Sequence, residues 1–292
     1  MEVKEIRRKI QSINNIRELT GALETLSAMK MKRAQSIAFS SRPFAQKIAR
    51  ILQKIEPVLK EKKLQFLREE KGNNILFLVL TSDRGFCGPF NQNVLKFGEK
   101  EIISVGKEGK EVKVFPVGKK GAAFFKKRGY KTEFSFFGIG DFGELEDIKP
   151  ISDFLIKSFL ENRFQKICLV WMDFISTFIQ KPRMIQLLPL KKENIGDFLQ
   201  EETKEEYEDF LIEPSEELLG QEIIPHLVEY LVYQCILENN ASEHSARMMA
   251  MRNASENAQK RCDQLKIDYN KARQEQITSE VCEISSTKEV LE

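Results

Sequence analysis

Residues 241–279 read ASEHSARMMAMRNASENAQKRCDQLKIDYNKARQEQITS and indicate the architecture of the chain. Small or modestly apolar side chains recur in it at alternating steps of three and four residues, the heptad rhythm of a helix that packs along one face. The seam comprises Ala241, His244, Met248, Met251, Ser255, Ala258, Cys262, Leu265, Tyr269, Ala272, Gln276 and Ser279. Residues 226–292 contain neither glycine nor proline. The sequence therefore predicts a helix roughly 100 Å long, which needs a partner along its length.

A second helical pattern occupies the first 56 residues, where apolar side chains are also spaced by three or four. These residues are Ile6, Ile10, Ile13, Ile16, Leu19, Leu23, Leu26 and Met29. Pro43 need not end this helix, since a proline in a long helix can produce a kink. We expect the two terminal helices to form an antiparallel intramolecular coiled coil. A homodimeric coiled coil of the C-terminal helix is the alternative.

The middle of the chain predicts an α/β layer. Continuous apolar runs typical of buried strands lie at 75–80, 112–117, 134–137, 167–172 and 184–190. Helix-compatible stretches separate some of them, at 91–103, 121–127 and 151–161. This alternation indicates a largely parallel sheet. The predicted fold class is α/β, with a Rossmann-like domain inserted between two long helices.

The corresponding domain boundaries follow the changes in composition. We predict an N-terminal coiled-coil helix at 1–58, a linker at 59–74, the α/β domain at 75–190, an acidic linker at 191–213 and the C-terminal coiled-coil helix at 214–292.

Charge is segregated although the net charge is only +2, which argues against general affinity for nucleic acid. No acidic residue lies between Glu24 and Glu56, and residues 193–217 hold eleven acidic residues against Lys204. The basic belt consists of Lys30, Lys32, Arg33, Arg42, Lys47, Arg50 and Lys54. Solvated surfaces are the ordinary explanation of such runs, but the belt would also suit an acidic partner.

Several classes of site are disfavoured. The five cysteines are widely separated, with no Cys-x-x-Cys and only two histidines, so neither a disulfide framework nor a zinc site is supported. We expect no metal and no cofactor. The N-terminus lacks an apolar signal region, and no run approaches the ~18 apolar residues of a membrane span. Membrane association is therefore expected only through partners.

One motif resembles a dinucleotide fingerprint. Residues 138–143 read Gly-Ile-Gly-Asp-Phe-Gly, but such a motif belongs at the first strand-to-helix turn of its unit. That turn here, residues 81–91, has a different pattern, in which Gly85, Gly88 and Pro89 favour close backbone packing. No set of nucleophile, base and orienting residue is apparent. We therefore expect no catalytic residues.

Six segments in series carry a resemblance that covers the chain from end to end. They are EIRRKIQSI (5–13), KMKRAQ (30–35) with SRPF (41–44), TSDRGFCG (81–88), QLLPL (186–190), ASEHSARMMAM (241–251), and YNKARQ (269–274) with IT (277–278). Together they resemble the gamma-subunit family of the F-type ATP synthases.

The resemblance implies a central-stalk rotor that catalyses nothing by itself and couples proton flow through the membrane ring to ATP synthesis or hydrolysis. Its implied partners are the alpha and beta subunits of the catalytic ring, the epsilon subunit and the membrane c-ring, with no nucleic acid and no direct membrane insertion. The implied location is the cytoplasmic side of a bacterial inner membrane, as a peripheral subunit.

Matching positions give candidate contact residues. Those implied for the catalytic ring are Lys30, Met31, Lys32, Arg33, Arg247, Gln274 and Thr278. Those implied for the membrane ring or epsilon are Arg42, Gly140 and Asp141. Phe142 and Gly143 depart from the family's usual polar-proline continuation, and Pro89 replaces a more usual glycine. Two other classes stay open: a coiled-coil scaffold or dimeric nucleic-acid binder, and a nicotinamide-dependent enzyme.

Overall fold

The computed structural model describes residues 3–61, 64–67, 72–142, 144–191 and 215–291. The predicted acidic linker at 191–213 lies outside these residues except for Lys191. The described chain divides into two compact units. Unit 1 comprises Met1–Ser27 and Arg247–Glu292, and unit 2 comprises Ala28–Ala246.

Two long helices open and close the chain. Helix α1 spans Val3–Glu61 and helix α5 spans Glu216–Leu291. Helix α1 continues past Pro43 and Pro57, and helix α5 continues past Pro225. The prediction that Pro43 would not terminate the first helix is therefore confirmed.

In unit 1 the two helices pack side by side and run antiparallel. Asn14 Oδ1 accepts a hydrogen bond from Cys262 Sγ at 3.4 Å, and the Arg17 guanidinium donates to Gln259. The partner position falls by three as the α1 position rises by three, which is the antiparallel relation predicted from the sequence. This register places the start of α1 level with about residue 273 of α5. The described side chains from 273 to 283 are all exposed.

The α5 seam is confirmed over most of its length. Buried members in unit 1 include Met251, Ala258, Cys262 and Leu265. Gln276 is exposed, as is Ser279, because both positions lie beyond the end of α1.

The predicted α1 seam is wrong in its second half. Ile6 is buried, but four predicted members are exposed: Ile16, Leu19, Leu26 and Met29. Met29 lies 23 residues after Ile6, which puts it about 140° around the helix at ~100° per residue. The buried face keeps a true heptad spacing and is continued in unit 1 by Thr20 and Ser27, which are polar. An apolar pattern could not identify it.

Unit 2 contains a four-stranded sheet in the order β2-β1-β3-β4. Its strands are β1 (Asn74–Leu80), β2 (Glu111–Val117), β3 (Lys166–Phe174) and β4 (Gln180–Leu188). Strand β1 pairs in parallel with β2 and β3, and β4 pairs antiparallel with β3. A short 3-10 helix, Gln65–Leu67, precedes the sheet, and three helices connect it: α2 (Phe90–Lys107), α3 (Lys119–Lys127) and α4 (Leu145–Leu160). The largely parallel α/β layer is confirmed.

The sheet has a hydrophobic cluster on each face, because alternate residues of a strand point to opposite sides. Phe77 and Val79 pack with residues of α2 and α3. Leu76 and Leu78 pack on the other face with residues of α4 and with the parts of α1 and α5 that belong to unit 2. Burial on both faces explains why β1 reads as an uninterrupted apolar run.

The fifth predicted strand, at 134–137, does not form. Phe136 makes a single bridge to β2, donating from its N–H to the carbonyl of Pro116 at 3.2 Å. The aromatic residues cover the sheet instead: Phe134 stacks on Phe154, and both meet Phe115 edge to face. The apolar run is therefore an irregular segment over the sheet, in which Phe136 packs partly against the core while Phe134 and Phe137 remain exposed.

Candidate functional site

The loop at 138–142 is the best-organised functional candidate in unit 2. Gly138 begins it with φ +81°, a conformation that glycine adopts without strain. Its N–H donates to Asp83 Oδ2 at 2.8 Å, and Asp83 Oδ1 accepts from the Lys119 N–H at 2.9 Å. Asp83 thus fixes the loop to the beginning of α3.

Asp141 sits in this loop between a lysine and a histidine from distant parts of the chain. One carboxylate oxygen lies 2.5 Å from Lys30 Nζ of α1, and the other lies 3.2 Å from His244 Nε2 of α5. The loop backbone is held as well, because Asn240 Nδ2 donates to the carbonyls of Gly140 at 3.3 Å and Asp141 at 3.4 Å. A single turn therefore contacts both long helices within unit 2.

The electrostatics of Asp141 follow from these contacts. Burial disfavours its ionisation, but the hydrogen bond from Lys30 and the charges of His244, Lys30 and Arg84 offset that cost. The net result is that the pKa of Asp141 lies below its ordinary value of 3.8. The carboxylate is ionised at neutral pH.

The neighbouring predicted residues behave differently from one another. Arg33 places its guanidinium 4.3 Å from the centre of the Phe142 ring, a cation–π contact with the same loop. Lys32 is exposed, whereas Met31 is buried in unit 2. The structure therefore brings Lys30 and Arg33, predicted for one partner, onto the loop that holds Gly140 and Asp141, predicted for another.

A cavity of about 210 Å³ lies behind this loop, at the carboxyl ends of β1 and β2. Its wall includes Thr81, Arg84, Asn239, Glu243 and His244. Among the described residues no three histidine, cysteine or carboxylate side chains are grouped as a metal would require. Both oxygens of Asp141 are engaged, one by Lys30 and the other by His244, so the arrangement suits a contact that holds elements of the fold together.

Helix α5 is fixed to strand β3 by buried polar contacts. Trp171 Nε1 donates to Glu238 Oε2 at 3.1 Å, and the Met172 N–H donates to Asn239 Oδ1 at 3.2 Å. Ser242 Oγ donates to the Met172 carbonyl at 3.0 Å. Such directional contacts set the register of the helix on the sheet, which an apolar surface alone would leave free to slide.

The resemblance of 138–143 to a dinucleotide motif gains no support from its surroundings. Helix α4 begins directly after it with an acidic first turn, Glu146 and Asp147, and a capping box between Glu144 and Asp147. Three carboxylates at this helix N-terminus would repel a pyrophosphate. Gly143 lies outside the described residues.

The remaining predicted contact residues are spread over the chain. In unit 1 Arg247 is half-buried, whereas Gln274 and Thr278 are exposed, and Thr278 Oγ1 donates to the Gln274 carbonyl at 2.9 Å. The side chain of Arg42 lies outside the described residues. Sequence reasoning placed His244 in the helical seam and did not identify it, or Asn240, as a partner of the loop. The signal was an asparagine and a histidine four residues apart, which places both on the same face of the helix.

The five cysteines form no disulfide, as expected. Burial raises the pKa of Cys168 to about 11 and that of Cys235 well above its usual range, so both thiols are unreactive at neutral pH. In the described part of the chain, no helix has both the length and the apolarity required to cross a bilayer.

Comparison with known proteins agrees with this architecture over the whole chain. The model of the ATP synthase family matches residues 2–291. The ATP synthase gamma chain of Methylococcus capsulatus is 36% identical over 281 residues, covering 96% of this chain and 96% of the relative. The gamma chain of Cupriavidus pinatubonensis is also 36% identical, covering 97% of each.

Two solved structures have the same fold. A chain of the Euglena gracilis mitochondrial ATP synthase, in a structure of its OSCP, F1 and c-ring, superposes with a TM-score of 0.66 at 18% identity, over 99% of this chain and 94% of that one. A chain from the central stalk and c-ring of the Tetrahymena thermophila mitochondrial enzyme gives 0.60 at 23% identity, over 81% and 99%. By its full-length match and its identity with these relatives, the chain belongs to the ATP synthase gamma chain family.

Proposed function

We propose that this chain is the central-stalk rotor of a proton-translocating F-type ATP synthase and that it catalyses nothing by itself. The observation that carries the proposal is the family match over residues 2–291 on a chain that has an antiparallel pair of terminal helices and an inserted α/β sheet. In this function, rotation of the chain couples ion flow through a membrane ring to the reactions of the catalytic ring.

The surface of unit 1 supports a partner around the helix pair. Its seam is closed, yet Ile16, Leu19 and Leu26 of α1 are 50%, 62% and 43% exposed. On α5, Ile277 and Val281 are exposed beyond the end of α1. The three α1 side chains share one face of their helix, and large apolar side chains exposed together indicate an interaction site. We assign the alpha and beta subunits to it, with Arg247, Gln274 and Thr278 among the contacts.

The basic belt would meet an acidic surface of the catalytic ring. Lys32 is exposed and Lys30 keeps 21% of its side chain accessible while paired with Asp141. Charges of this kind set specificity and register more than affinity. Because Met31 is buried, we propose that its role is to support the charged residues on either side of it.

The two remaining partners, the c-ring and the epsilon subunit, would bind unit 2 near Gly140, Asp141 and Arg42. The assembled enzyme would place the chain at the cytoplasmic face of a bacterial inner membrane, as a peripheral subunit.

The test is reconstitution of the chain with alpha and beta subunits of the same source. We expect an assembly whose mass includes one copy of this chain, and ATP hydrolysis that depends on its presence. A chain with Ile16→Gln and Leu19→Gln should assemble less well, whereas Phe178→Gln, on an exposed apolar residue of unit 2, should not impair assembly with the ring.

The competing functions predict other results. A self-dimer with no association would favour a coiled-coil scaffold, and salt-sensitive binding to DNA or RNA would favour a nucleic-acid binder. Dinucleotide binding abolished by Gly140→Val would favour an enzyme.

A further inference from the structure

The Asp141 cluster joins three segments that are far apart in sequence. Lys30 and Asp141 are separated by 111 positions, and His244 follows Asp141 by a further 103. All three belong to unit 2. The two carboxylate oxygens of Asp141 contact different helices: one lies near Lys30 of α1 and the other near His244 of α5.

The cluster lies where both helices approach the limits of unit 2. Lys30 is three positions after Ser27, the last α1 residue of unit 1, and His244 is three positions before Arg247, the first α5 residue of unit 1. Along the sequence, Lys30 and His244 are therefore each three positions from the nearest residue of unit 1 on their helix.

The contacts around Asp141 reinforce one another. The carbonyls of Gly140 and Asp141 accept from Asn240, Arg33 covers Phe142, and Asp83 fixes Gly138. The carboxylate of Asp141 is thereby presented to Lys30 and His244 by a loop whose own backbone is held. Its side chain is 36% exposed, so its contacts are accessible to solvent but not freely hydrated.

From this geometry we propose that Asp141 is a positioning residue that braces α1 and α5 against the α/β layer within unit 2. The inference rests on the proposed rotor function: torque that enters the α/β unit passes into both helices, and the brace stiffens that path. Breaking it leaves the fold in place but makes the contact of α1 and α5 with the 138–142 loop more compliant within unit 2.

The brace itself is tested on the full chain alone, without partners. Amide hydrogen exchange is measured on the parent chain and on Asp141→Asn, with Asp153→Asn, an exposed carboxylate on α4, as the matched control. We expect Asp141→Asn to speed exchange about twofold in residues 138–142 and in the turns around Lys30 and His244, and the control to leave it unchanged. Unchanged exchange in Asp141→Asn would overturn the brace, whether or not the chain is a rotor.

A double-mutant cycle separates a specific pair from general packing. If Lys30 acts through Asp141, the variant with Lys30→Met and Asp141→Asn should show no faster exchange than Asp141→Asn alone. Additive effects would contradict the assignment.

The role in torque is tested in the assembled complex. A bead is attached to a cysteine introduced by Ile103→Cys, on an exposed position of α2, in a Cys282→Ser background. With the catalytic ring immobilised and not turning over, we expect the angular variance of the bead to rise about twofold in Asp141→Asn and to be restored toward the parent value in Asp141→Glu.

Unchanged variance together with faster exchange would overturn the torque role and keep the brace as a purely structural contact. If the parent chain does not assemble, the proposed function fails, and the torque role with it.

Discussion

Unit 2 and unit 1 bury very different side chains. The sheet of unit 2 is closed by large residues with almost no exposure, among them Phe77, Phe115 and Phe125. The helix pair of unit 1 is closed by Ile6, Met251 and Leu265 together with small or polar residues such as Thr20, Ser27 and Ala258. Because stabilisation scales with buried apolar area, the helix pair gains less from its own seam. The two units therefore differ in what closes them: large apolar side chains close unit 2, whereas a narrow seam that also holds small and polar residues closes the helix pair of unit 1.

The largest effect is expected in the core of unit 2. Phe115→Ala removes a fully buried ring that contacts Phe134 and Phe154 edge to face. We expect a loss of about 3–5 kcal/mol in the free energy of unfolding, from lost burial and the cavity left behind. Urea denaturation measures it. Phe178→Ala, on a ring that is 74% exposed, is the control and should change stability by less than about 0.5 kcal/mol.

A smaller and more local effect is expected in the seam of unit 1. Leu265 is 3% exposed, and Leu265→Ala should cost about 2 kcal/mol. Hydrogen exchange should quicken in the α1 residues that face it, around residue 11, and stay unchanged in the sheet of unit 2. Ile267→Ala, two positions along and 63% exposed, is the matched control. Equal acceleration in both units would show that they unfold together and break the comparison.

The contacts of Asp141 with Lys30 and His244 should contribute less to the free energy of unfolding than the burial of Leu265 does. The pKa of Asp141 is lowered in the folded chain, so its stabilising contribution is present above the ordinary value of 3.8 and is lost as pH falls through the lower folded value. Since the carboxylate is partly exposed, Asp141→Asn should cost only about 0.5 kcal/mol at neutral pH.

Measuring unfolding at a series of pH values shows the direction in which the contribution of Asp141 changes. Denaturant unfolding should show a constant difference between parent and Asp141→Asn near neutrality, and the difference should shrink once the pH falls below 3.8. A difference that grows on acidification would contradict an ionised, cation-paired Asp141.

The smallest effect on stability should come from the exposed apolar face of α1. Replacing Ile16 and Leu19 by Gln should change the free energy of unfolding of the free chain by less than about 0.5 kcal/mol, because neither side chain is buried. The same variant should lose assembly with the catalytic ring. Circular dichroism melts and native mass measurement separate the two results, and a large loss of stability in the free chain would place these residues in an internal contact.

Sequence patterns predicted what depends on local or periodic burial. Strand β1 was evident because both of its faces are buried, and the α5 seam because its heptad spacing persists to the end of α1. The α1 seam was predicted wrongly. Its buried members include the polar residues Thr20 and Ser27, whereas the apolar residues of the pattern move gradually around the helix to its exposed side. Residues 134–137 were misread because aromatic residues cover a sheet as readily as they extend it.

The candidate site was beyond reach of the sequence for a different reason. Lys30, Asp141 and His244 are spread over more than two hundred positions of the sequence, yet they contact one another in the fold. No motif fixes the spacing between any two of them. The resemblance supplied two of them as contact residues for separate partners. It gave no sign that they contact one another.

The most direct test of the rotor function is to watch the chain turn. A complex assembled with alpha and beta subunits of the same source is immobilised through its catalytic ring, and a bead is attached at Ile103→Cys in the Cys282→Ser background. We expect rotation in one direction that starts on addition of ATP and stops when ATP is exhausted. A complex that hydrolyses ATP while the bead only fluctuates about a fixed angle would contradict it.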